Sequence, residues 1–362
     1  MKTLDCATEA ESKIIADVRG IAANLLGIGV VSVKRIGGGG NNRMYHLECD
    51  GSQQYAAKLY FRHPGDKRDR LEVEFSSLSF LWEEGIRNIP RPIVVSRDES
   101  CAIYEFIEGT KILAEDITAD DIQCAVDFLA KLNELKKRPR AKNIPMASEA
   151  YFSVQAIIEN ISARLSRLYT AADRGPEHAE FKSFLTDNIS ITFNTLRDWS
   201  YKKCNQGHIP FDIDLGWEER TLSPSDFGFH NALRDKTGRI VFLDFEYFGW
   251  DDPAKMICDF LLHPAMNLET DLKRYFVKRM FSVFKENQHL AERAAVVYPL
   301  FGLKWCLILL NEFIPDDLQR RSFARIHLND KKDVEQRQLL KAKKMLAFTR
   351  ETYQDFPYSI GH

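Results

Sequence analysis

The chain has 362 residues, enough for roughly two domains. Apolar residues make up 44% of it and the formal net charge is −2, which excludes a disordered chain and argues against nucleic acid as the main partner. The seven cysteines are scattered without a Cys-x-x-Cys pair, so we expect neither a disulfide framework nor a zinc site. The first residues are too polar for a signal peptide, and we therefore expect a cytoplasmic protein.

Residues 30–107 have the pattern of an antiparallel sheet that carries one helix. The predicted strands are short and alternating or β-branched, and cover residues 30–36, 44–48, 54–60, 93–96 and 101–107. Apolar residues three and four positions apart predict a helix over 67–84, with Gly85 as its C-terminal stop. The turn Asp50-Gly51 favours a hairpin between the second and third strands.

Helical patterns dominate from residue 110 onward. Apolar stripes predict one helix over 119–135, capped by Thr118, and a longer one capped by Ser148. A third helix is predicted over 181–199. The clearest boundary in the chain therefore lies near Glu108.

Residues 222–248 interrupt the helical pattern, because two short apolar strands flank a turn at 235–238. Helices resume at Pro253. The longest apolar stretch, residues 294–310, contains Lys304, and a lysine at mid-membrane costs about 2.5–3.5 kcal/mol. We therefore predict a buried core helix there and expect no membrane partner.

The most informative segment is Ser223-Pro-Ser-Asp-Phe-Gly-Phe-His-Asn231. Asp226 and Asn231 are five positions apart, which is the spacing of a kinase catalytic loop. In such a loop the aspartate accepts the proton of the substrate hydroxyl and the asparagine holds a magnesium ion. The pair is common on its own, so a loop aspartate with a turn asparagine is the alternative interpretation.

Asp244 lies thirteen positions after Asn231, at the end of an apolar strand in Phe242-Leu-Asp-Phe-Glu246. This position corresponds to the magnesium-binding aspartate of kinases. Oxygen atoms from two adjacent strands can converge on one hard cation. The alternative for Asp244 is a helix or turn cap.

A glycine run, residues 37–40, lies between two predicted strands and is followed by Asn42. Glycines let the backbone approach phosphate groups closely. Asn42 occupies the place of the last glycine in a strict phosphate-binding pattern. A plain loop is an equally good interpretation of this segment alone.

Lys58 lies in the middle of the apolar strand Tyr55-Ala-Ala-Lys-Leu-Tyr60, where a kinase places its phosphate-contacting lysine. Glu74 borders the buried stripe of the next helix, so we predict that it pairs with Lys58. Glu72 is the second choice. The alternative for Lys58 is a strand lysine that faces solvent.

Together these motifs resemble the aminoglycoside phosphotransferase and choline kinase family from residue 36 to about 264. Matching segments are Gly-Gly-Gly-Asn-Asn-Arg-Met-Tyr45, Ile103-Tyr-Glu-Phe-Ile-Glu-Gly109 and Gly249-Trp-Asp-Asp-Pro-Ala-Lys-Met-Ile-Cys-Asp259. The resemblance implies an α+β, bilobal protein-kinase-like fold with a small antiparallel-sheet N-lobe and a larger, mostly helical C-lobe. A nucleotide-binding lobe would cover residues 1–108, and a catalytic and substrate-binding lobe 109–362.

The resemblance also implies the site residues. Asp226 would be the catalytic base, and Asn231 and Asp244 the Mg²⁺ ligands. The nucleotide, ATP with GTP not excluded, would be held by Gly38, Gly39, Gly40, Asn42, Lys58, Glu74, Glu105, Phe106 and Ile107.

One position departs from the family pattern. The family usually places a histidine two residues before the catalytic aspartate, and here that residue is Pro224. In the family this histidine orients the catalytic loop and contacts the backbone near the metal-binding aspartate. His230 lies nearby and is predicted to be a packing or substrate-facing residue.

The resemblance implies transfer of the γ-phosphoryl group of ATP to a hydroxyl of a small molecule, such as a sugar, an amino alcohol or an aminoglycoside-like compound. A nucleotide-binding pseudokinase with a regulatory or scaffold role is the alternative; it predicts loss of a base or metal ligand, and none is lost. A protein kinase is disfavoured, because Asp252-Pro253 follows Asp244 too closely for an activation loop.

These motifs do not specify the acceptor. A polycationic acceptor would need several free carboxylates, and the candidates are Asp251, Asp252 and Glu312. The aromatic residues Trp250, Phe301 and Trp305 are candidates for an apolar wall, although core packing is the more common role of such residues.

Overall fold

The computed structural model describes residues 2–37, 42–62, 68–315 and 331–356. They form two compact units. The first contains the described residues up to Thr110 together with Leu233–Glu246, and the second contains Lys111–Ala232 and the described residues from Tyr247 onward. Within the described residues, the first unit is therefore built from two separate stretches of chain. The predicted boundary after Glu108 stays a prediction.

Strands dominate the described part of the first unit, which also contains two α-helices, whereas helices dominate the second. The described strands are β1 (Val30–Ile36), β2 (Arg43–Cys49), β3 (Gln54–Leu59), β4 (Pro92–Ser96), β5 (Cys101–Glu105), β6 (Gly109–Lys111), β7 (Thr221–Ser223), β8 (Ala232–Asp235), β9 (Ile240–Phe242) and β10 (Gly249–Asp251). The described α-helices are α1 (Lys2–Leu26), α2 (Arg70–Glu83), α3 (Ala119–Leu135), α4 (Val154–Ala172), α5 (Ala179–Phe184), α6 (Ser190–Gly207), α7 (Pro253–Leu262), α8 (Thr270–Val283), α9 (Leu290–Leu309) and α10 (Lys331–Thr352).

The main sheet of the first unit has five strands in the order β1-β2-β3-β5-β4, and neighbouring strands are antiparallel. A smaller sheet has the order β6-β8-β9, and β7 pairs with β10 in the second unit. The predicted fold class, an antiparallel sheet followed by a mostly helical part, is confirmed.

The two faces of the main sheet carry different helices. Ala57 on β3 packs in an apolar core with Val18 and Ala22 of α1. The next residue, Lys58, bonds to Glu74 of α2. Successive strand residues point to opposite faces, so α1 and α2 cover opposite sides of the sheet and Lys58 faces α2.

Helix α2 begins three residues later than predicted. The Asp69 side chain accepts a hydrogen bond from the Glu72 amide at 3.0 Å and caps the helix, whereas Lys67 lies outside the described residues. The predicted stop is confirmed, because Gly85 adopts a left-handed φ of 89°.

The predicted cap of α3 is confirmed, because Thr118 forms a capping box with Asp121. The predicted cap at Ser148 is wrong. Ser153 caps α4 instead, and its hydroxyl accepts the Ala156 amide at 3.2 Å. The helix predicted over 181–199 is present as α5 and α6, joined by a π-helical turn.

Within the described residues, one segment is long and apolar enough to cross a membrane: Leu290–Phe313, which includes α9. Of the most apolar 18-residue window in this segment, 78% is buried inside the fold. Lys304, within this segment, lies 3.5 Å from Glu149. The segment is therefore a core helix of the second unit, as predicted.

Gly249 on β10 lies against the backbone of residues 145–147. A methyl group at this position would contact the Ala147 amide and the Pro145 carbonyl oxygen. We expect Gly249→Ala to reduce the free energy of unfolding by about 1–3 kcal/mol, because the backbone has to shift. Urea denaturation measures this change. Gly20→Ala in α1 is the matched control: nothing lies within 4 Å of the added group, so stability should rise by up to about 1 kcal/mol. Equal effects of the two substitutions would contradict the argument.

Candidate active site

Lys58 lies at the centre of a carboxylate cluster in the first unit. Its Nζ is 2.6 Å from Glu74 Oε2, 2.7 Å from Asp244 Oδ1 and 3.8 Å from Glu246 Oε2. The predicted contact with Glu74 is therefore present, whereas Glu72 pairs with the exposed Arg97. Burial opposes the charge of Lys58, but the three carboxylates outweigh it and hold its pKa well above the ordinary value.

Glu74 connects α2 to two other parts of the first unit. Its Oε2 also accepts a hydrogen bond from the Tyr60 hydroxyl at 2.6 Å, and Tyr60 contacts the Tyr104 hydroxyl at 2.7 Å. Its Oε1 accepts the backbone amide of Phe245 at 3.3 Å. Glu74 thus fixes both Lys58 and the backbone that follows Asp244.

Glu246 is a buried carboxylate that sequence reasoning did not single out. It accepts a hydrogen bond from Asn42 Nδ2, and Arg70 Nε lies 3.6 Å from its other oxygen. The side-chain oxygen of Asn42 accepts the Phe61 amide at 3.3 Å. Asn42 is therefore anchored to the cluster. Gly38, Gly39 and Gly40, predicted to contact phosphates, lie outside the described residues.

Asp244 follows β9 and adopts a left-handed φ of 65°, a conformation that costs energy for a residue other than glycine. Oxygen atoms of Glu74, Asp244 and Glu246 lie within 4.8 Å of one another. Burial raises the pKa of Asp244 to about 7; Lys58 opposes the rise, and Glu246 and Glu74 add to it. Carboxylate oxygens are the ligands that Mg²⁺ prefers, so the chemistry of this donor set fits a magnesium ion.

Glu105, Phe106 and Ile107 are half-buried at the end of β5. The Glu105 amide donates to the Arg91 carbonyl at 2.8 Å. The Phe106 ring stacks on the His46 ring with centroids 3.9 Å apart. The role of these three residues in nucleotide binding stays a prediction.

The segment after β7 holds Asp226 and Asn231 together in the second unit. The Asp226 amide donates to the Pro224 carbonyl at 2.9 Å, and Ser225 adopts a left-handed φ of 68°. Asn231 Nδ2 donates to the Asp226 carbonyl at 3.0 Å. The amide group of Asn231 is thereby used as a donor, so its carbonyl oxygen is the atom that suits a cation.

Two histidines contact the Asp226 carboxylate. His230 Nε2 lies 3.1 Å and His263 Nε2 3.5 Å from Asp226 Oδ1. The two rings stack at 3.7 Å with an interplanar angle of 5°. Burial favours the protonated form of Asp226, but the hydrogen bond from His230 and the proximity of His263 hold its pKa below the usual range. Asp226 is therefore an ionised carboxylate at neutral pH.

A second polar group connects to the same loop. Lys255 Nζ lies 2.7 Å from Asp251, 3.1 Å from Asp259 and 3.0 Å from the Ser225 hydroxyl. Asp259 also accepts the indole N–H of Trp305 at 3.0 Å. Ser225, the residue before Asp226, is therefore anchored to α7.

The carboxylates considered for a polycationic acceptor are buried. Asp251 pairs with Lys255, and Asp252 lies 2.6 Å from Arg293. Glu312 is 1% exposed. Trp250 and Phe301 belong to the core, as the more common role of such residues predicts, whereas Trp305 is half-buried with its ring edge against His263.

Residues 32–188 match the model of a family described as the phosphotransferase enzyme family, APH. The predicted family resemblance is confirmed. A comparison with curated protein sequences finds no match.

Solved structures share the fold over nearly the whole chain. A spectinomycin phosphotransferase, APH(9)-Ia, in complex with ADP and spectinomycin has a TM-score of 0.62 at 14% identity, covering 93% of this chain and 98% of its own. The choline kinase LicA from Streptococcus pneumoniae has a TM-score of 0.56 at 16% identity, covering 94% and 99%. A Plasmodium vivax ethanolamine kinase has a TM-score of 0.54 at 16% identity, covering 88% and 83%.

Sequence reasoning missed Glu246 and His263 and left His230 without a defined role. Glu246 lies two positions after Asp244, and this close spacing of two carboxylates could have indicated that Glu246 belongs to the same site. His263 comes from the end of α7, 37 residues after Asp226, and its contact depends on how α7 packs. No short-range motif in the sequence could predict that contact.

Proposed function

We propose that the protein is an ATP-dependent phosphotransferase that acts on a hydroxyl group of a small molecule. The observation that carries this proposal is the arrangement of Lys58 between Glu74 and Asp244, at 2.6 and 2.7 Å. A kinase needs this lysine–glutamate pair for the phosphates and this aspartate for magnesium. The match of residues 32–188 to a phosphotransferase family supports the same activity.

In the proposed reaction the acceptor oxygen forms a bond to the γ-phosphorus of ATP, and the bond from that phosphorus to the β-phosphate oxygen breaks. The hydroxyl proton passes to Asp226, and ADP leaves. An ionised carboxylate suits this role, because it orients the hydroxyl from the start and accepts the proton late in the transfer. Catalysis then depends on positioning and on stabilising charge.

Asp244 and Asn231 are the proposed Mg²⁺ ligands, and Glu246 adds a third oxygen-bearing side chain to the candidates. Bound magnesium would neutralise charge on the phosphates. Lys58 would contact the α- and β-phosphates, with Glu74 fixing its direction. Gly38, Gly39, Gly40 and Asn42 are proposed to surround the phosphates, and the backbone of residues 105–107 to bind the base of ATP or GTP.

The acceptor is proposed to be a sugar or an amino alcohol and not a polycation. Two of the three carboxylates considered for a polycation are neutralised inside the protein, Asp251 by Lys255 and Asp252 by Arg293, and the third, Glu312, is buried. A cytoplasmic location is part of the proposal, because the cytoplasm supplies ATP.

A panel of hydroxyl compounds tests this function. Purified protein is incubated with Mg·ATP and, one at a time, choline, ethanolamine, spectinomycin and a set of sugars, and ADP release and ³¹P spectra are recorded. A phosphorylated product confirms the proposal. ATP binding without transfer to any compound of a broad panel would favour the pseudokinase alternative.

Replacing Asp244 by asparagine removes the charged ligand and keeps the size. We expect Asp244→Asn to weaken Mg·ATP binding and to reduce kcat, each at least tenfold. Both should fall together because protein carboxylates and the phosphates of the nucleotide bind the same magnesium ion. Isothermal titration calorimetry and steady-state kinetics measure the two effects. Asp98→Asn, in the exposed turn between β4 and β5, is the control. Unchanged Mg·ATP affinity in Asp244→Asn would rule out its role as a ligand.

A further inference from the structure

We infer that His230 and His263 form a stacked clamp on Asp226, in which His230 donates its Nε2–H to one carboxylate oxygen, the Nε2–H of His263 faces the same oxygen, and the two rings together set the direction of the other oxygen. These are positioning residues, and the inference rests on the proposed function of Asp226. The clamp is defined here as Asp226, His230 and His263. It assigns a role to two side chains that no motif in the sequence explains.

The direction of the hydrogen bonds follows from the carboxylate. Both Nε2 atoms face the same oxygen, Asp226 Oδ1, at 3.1 and 3.5 Å. An ionised carboxylate only accepts hydrogen bonds, so the hydrogen-bonded Nε2 of His230 has to carry a proton. With both imidazoles placed at Oδ1, the clamp directs Oδ2 toward the acceptor hydroxyl.

His263 gives independent evidence for this proton position. Its other nitrogen, Nδ1, accepts the backbone amide of Ala265 at 3.2 Å. A nitrogen that accepts a hydrogen bond is unprotonated, so the single proton of the neutral ring resides on Nε2. Burial also lowers the pKa of His263 to about 4, which keeps the ring neutral near pH 7.

The same atoms could be considered as a metal site, since an oxygen and two ring nitrogens lie within 4.8 Å of one another. A metal ion needs an unprotonated nitrogen, however, and on His263 the unprotonated nitrogen points to Ala265. The arrangement therefore favours ring N–H groups that face a carboxylate.

Several contacts keep the rings in place. The rings stack at 3.7 Å, and the Trp305 ring edge lies against His263 with centroids 4.5 Å apart. Trp305 is fixed by the bond of its N–H to Asp259, which is also bound by Lys255. The rings are mostly buried, with 12% and 15% of their side chains exposed. Because proline has no side-chain donor, Pro224 cannot supply this orientation, and the clamp supplies it instead.

The test compares two substitutions of each histidine. His263→Leu removes the donor, whereas His263→Gln keeps an N–H near the position of Nε2. With the best acceptor from the hydroxyl panel, we expect His263→Leu to reduce kcat at least tenfold and to change the KM for ATP less than twofold. His263→Gln should recover kcat to within threefold of the wild type. The pair His230→Leu and His230→Gln should behave in the same way. His289→Gln, an exposed histidine in the second unit, is the control.

The result that would overturn the inference is unchanged kcat in both leucine variants, or equal losses in the leucine and glutamine variants while all remain folded by circular dichroism. A second measurement covers the case in which a leucine variant does not fold. Long-range ¹H–¹⁵N NMR of the wild-type protein should show both histidines as the Nε2–H form, and Asp226→Asn should shift those Nε2 resonances. An Nδ1–H form of His263 would overturn the clamp. This measurement needs no turnover, so it decides the inference even if the panel shows no phosphotransfer.

Discussion

Replacing Asp226 by asparagine should reduce kcat at least 100-fold and leave ATP binding within threefold of the wild type. The carboxylate acts on the hydroxyl proton in the transition state, and general-base groups contribute roughly 10²–10⁴ in rate. Asparagine has the same shape but cannot accept the proton. A hundredfold loss corresponds to about 2.7 kcal/mol of transition-state stabilisation. Steady-state kinetics gives kcat, and calorimetry with ATP gives the affinity.

Asp212→Asn is the matched control for this experiment. Asp212 is an exposed aspartate of the second unit, so its change should leave kcat and ATP affinity unaltered. A turnover above about a tenth of the wild type in Asp226→Asn would contradict the proposed base. A loss of ATP affinity equal to the loss of turnover would assign Asp226 to nucleotide binding instead.

Lys58→Met should impair both nucleotide binding and folding. The substitution keeps the length and apolar stem of the side chain but leaves Glu74, Asp244 and Glu246 close together without their shared cation. Breaking a buried ion pair on one side costs about 3–5 kcal/mol, so we expect the free energy of unfolding to fall by that amount. ATP affinity should fall at least tenfold, because the phosphates lose their direct contact. Chemical denaturation and calorimetry measure the two losses.

The chain offers a matched control on the same sheet. Lys34 pairs with Glu48 at 2.9 Å, but 65% and 40% of the two side chains are exposed. Such surface pairs contribute at most about 1 kcal/mol, so Lys34→Met should have little effect on stability and none on ATP affinity. Combining Lys58→Met with Glu74→Gln should recover part of the stability and none of the affinity, because one excess negative charge is removed while the phosphate contact stays absent. Normal ATP affinity in Lys58→Met would remove the main support for a nucleotide site.

The pairing of Lys58 with Glu74 could be predicted because it depends on local patterns. The apolar strand around Lys58 indicated a buried lysine that needs a partner, and the helical stripe favoured Glu74 over Glu72 as that partner. The proximity of Asp226 and Asn231 could be predicted in the same way, because one short loop contains both residues. In each case a few neighbouring residues determine the geometry, and long-range packing adds only the final contact.

Other features could not be predicted in this way, and one was overlooked. The contact between Asp226 and His263 depends on the packing of α7 and α9, which no short pattern encodes. The cap of α4 was placed at Ser148 because serine is a good cap, but the backbone first becomes helical after Ser153. Helix α1 could have been predicted from Ile14, Val18, Ile21 and Leu25, which are four, three and four positions apart and lie on one stripe.

The discontinuous first unit determines how the protein could be dissected. Residues Leu233–Glu246 belong to that unit, although more than a hundred residues of the second unit precede them in the chain. They contribute Asp244 and Glu246. A fragment ending near residue 110 would retain Lys58 and Glu74 but lose two of the three carboxylates around the ammonium, together with β8 and β9. No single proteolytic cut therefore separates the chain into two self-sufficient pieces. A nucleotide-binding fragment would have to be designed by joining residue 110 to residue 233 through a short linker.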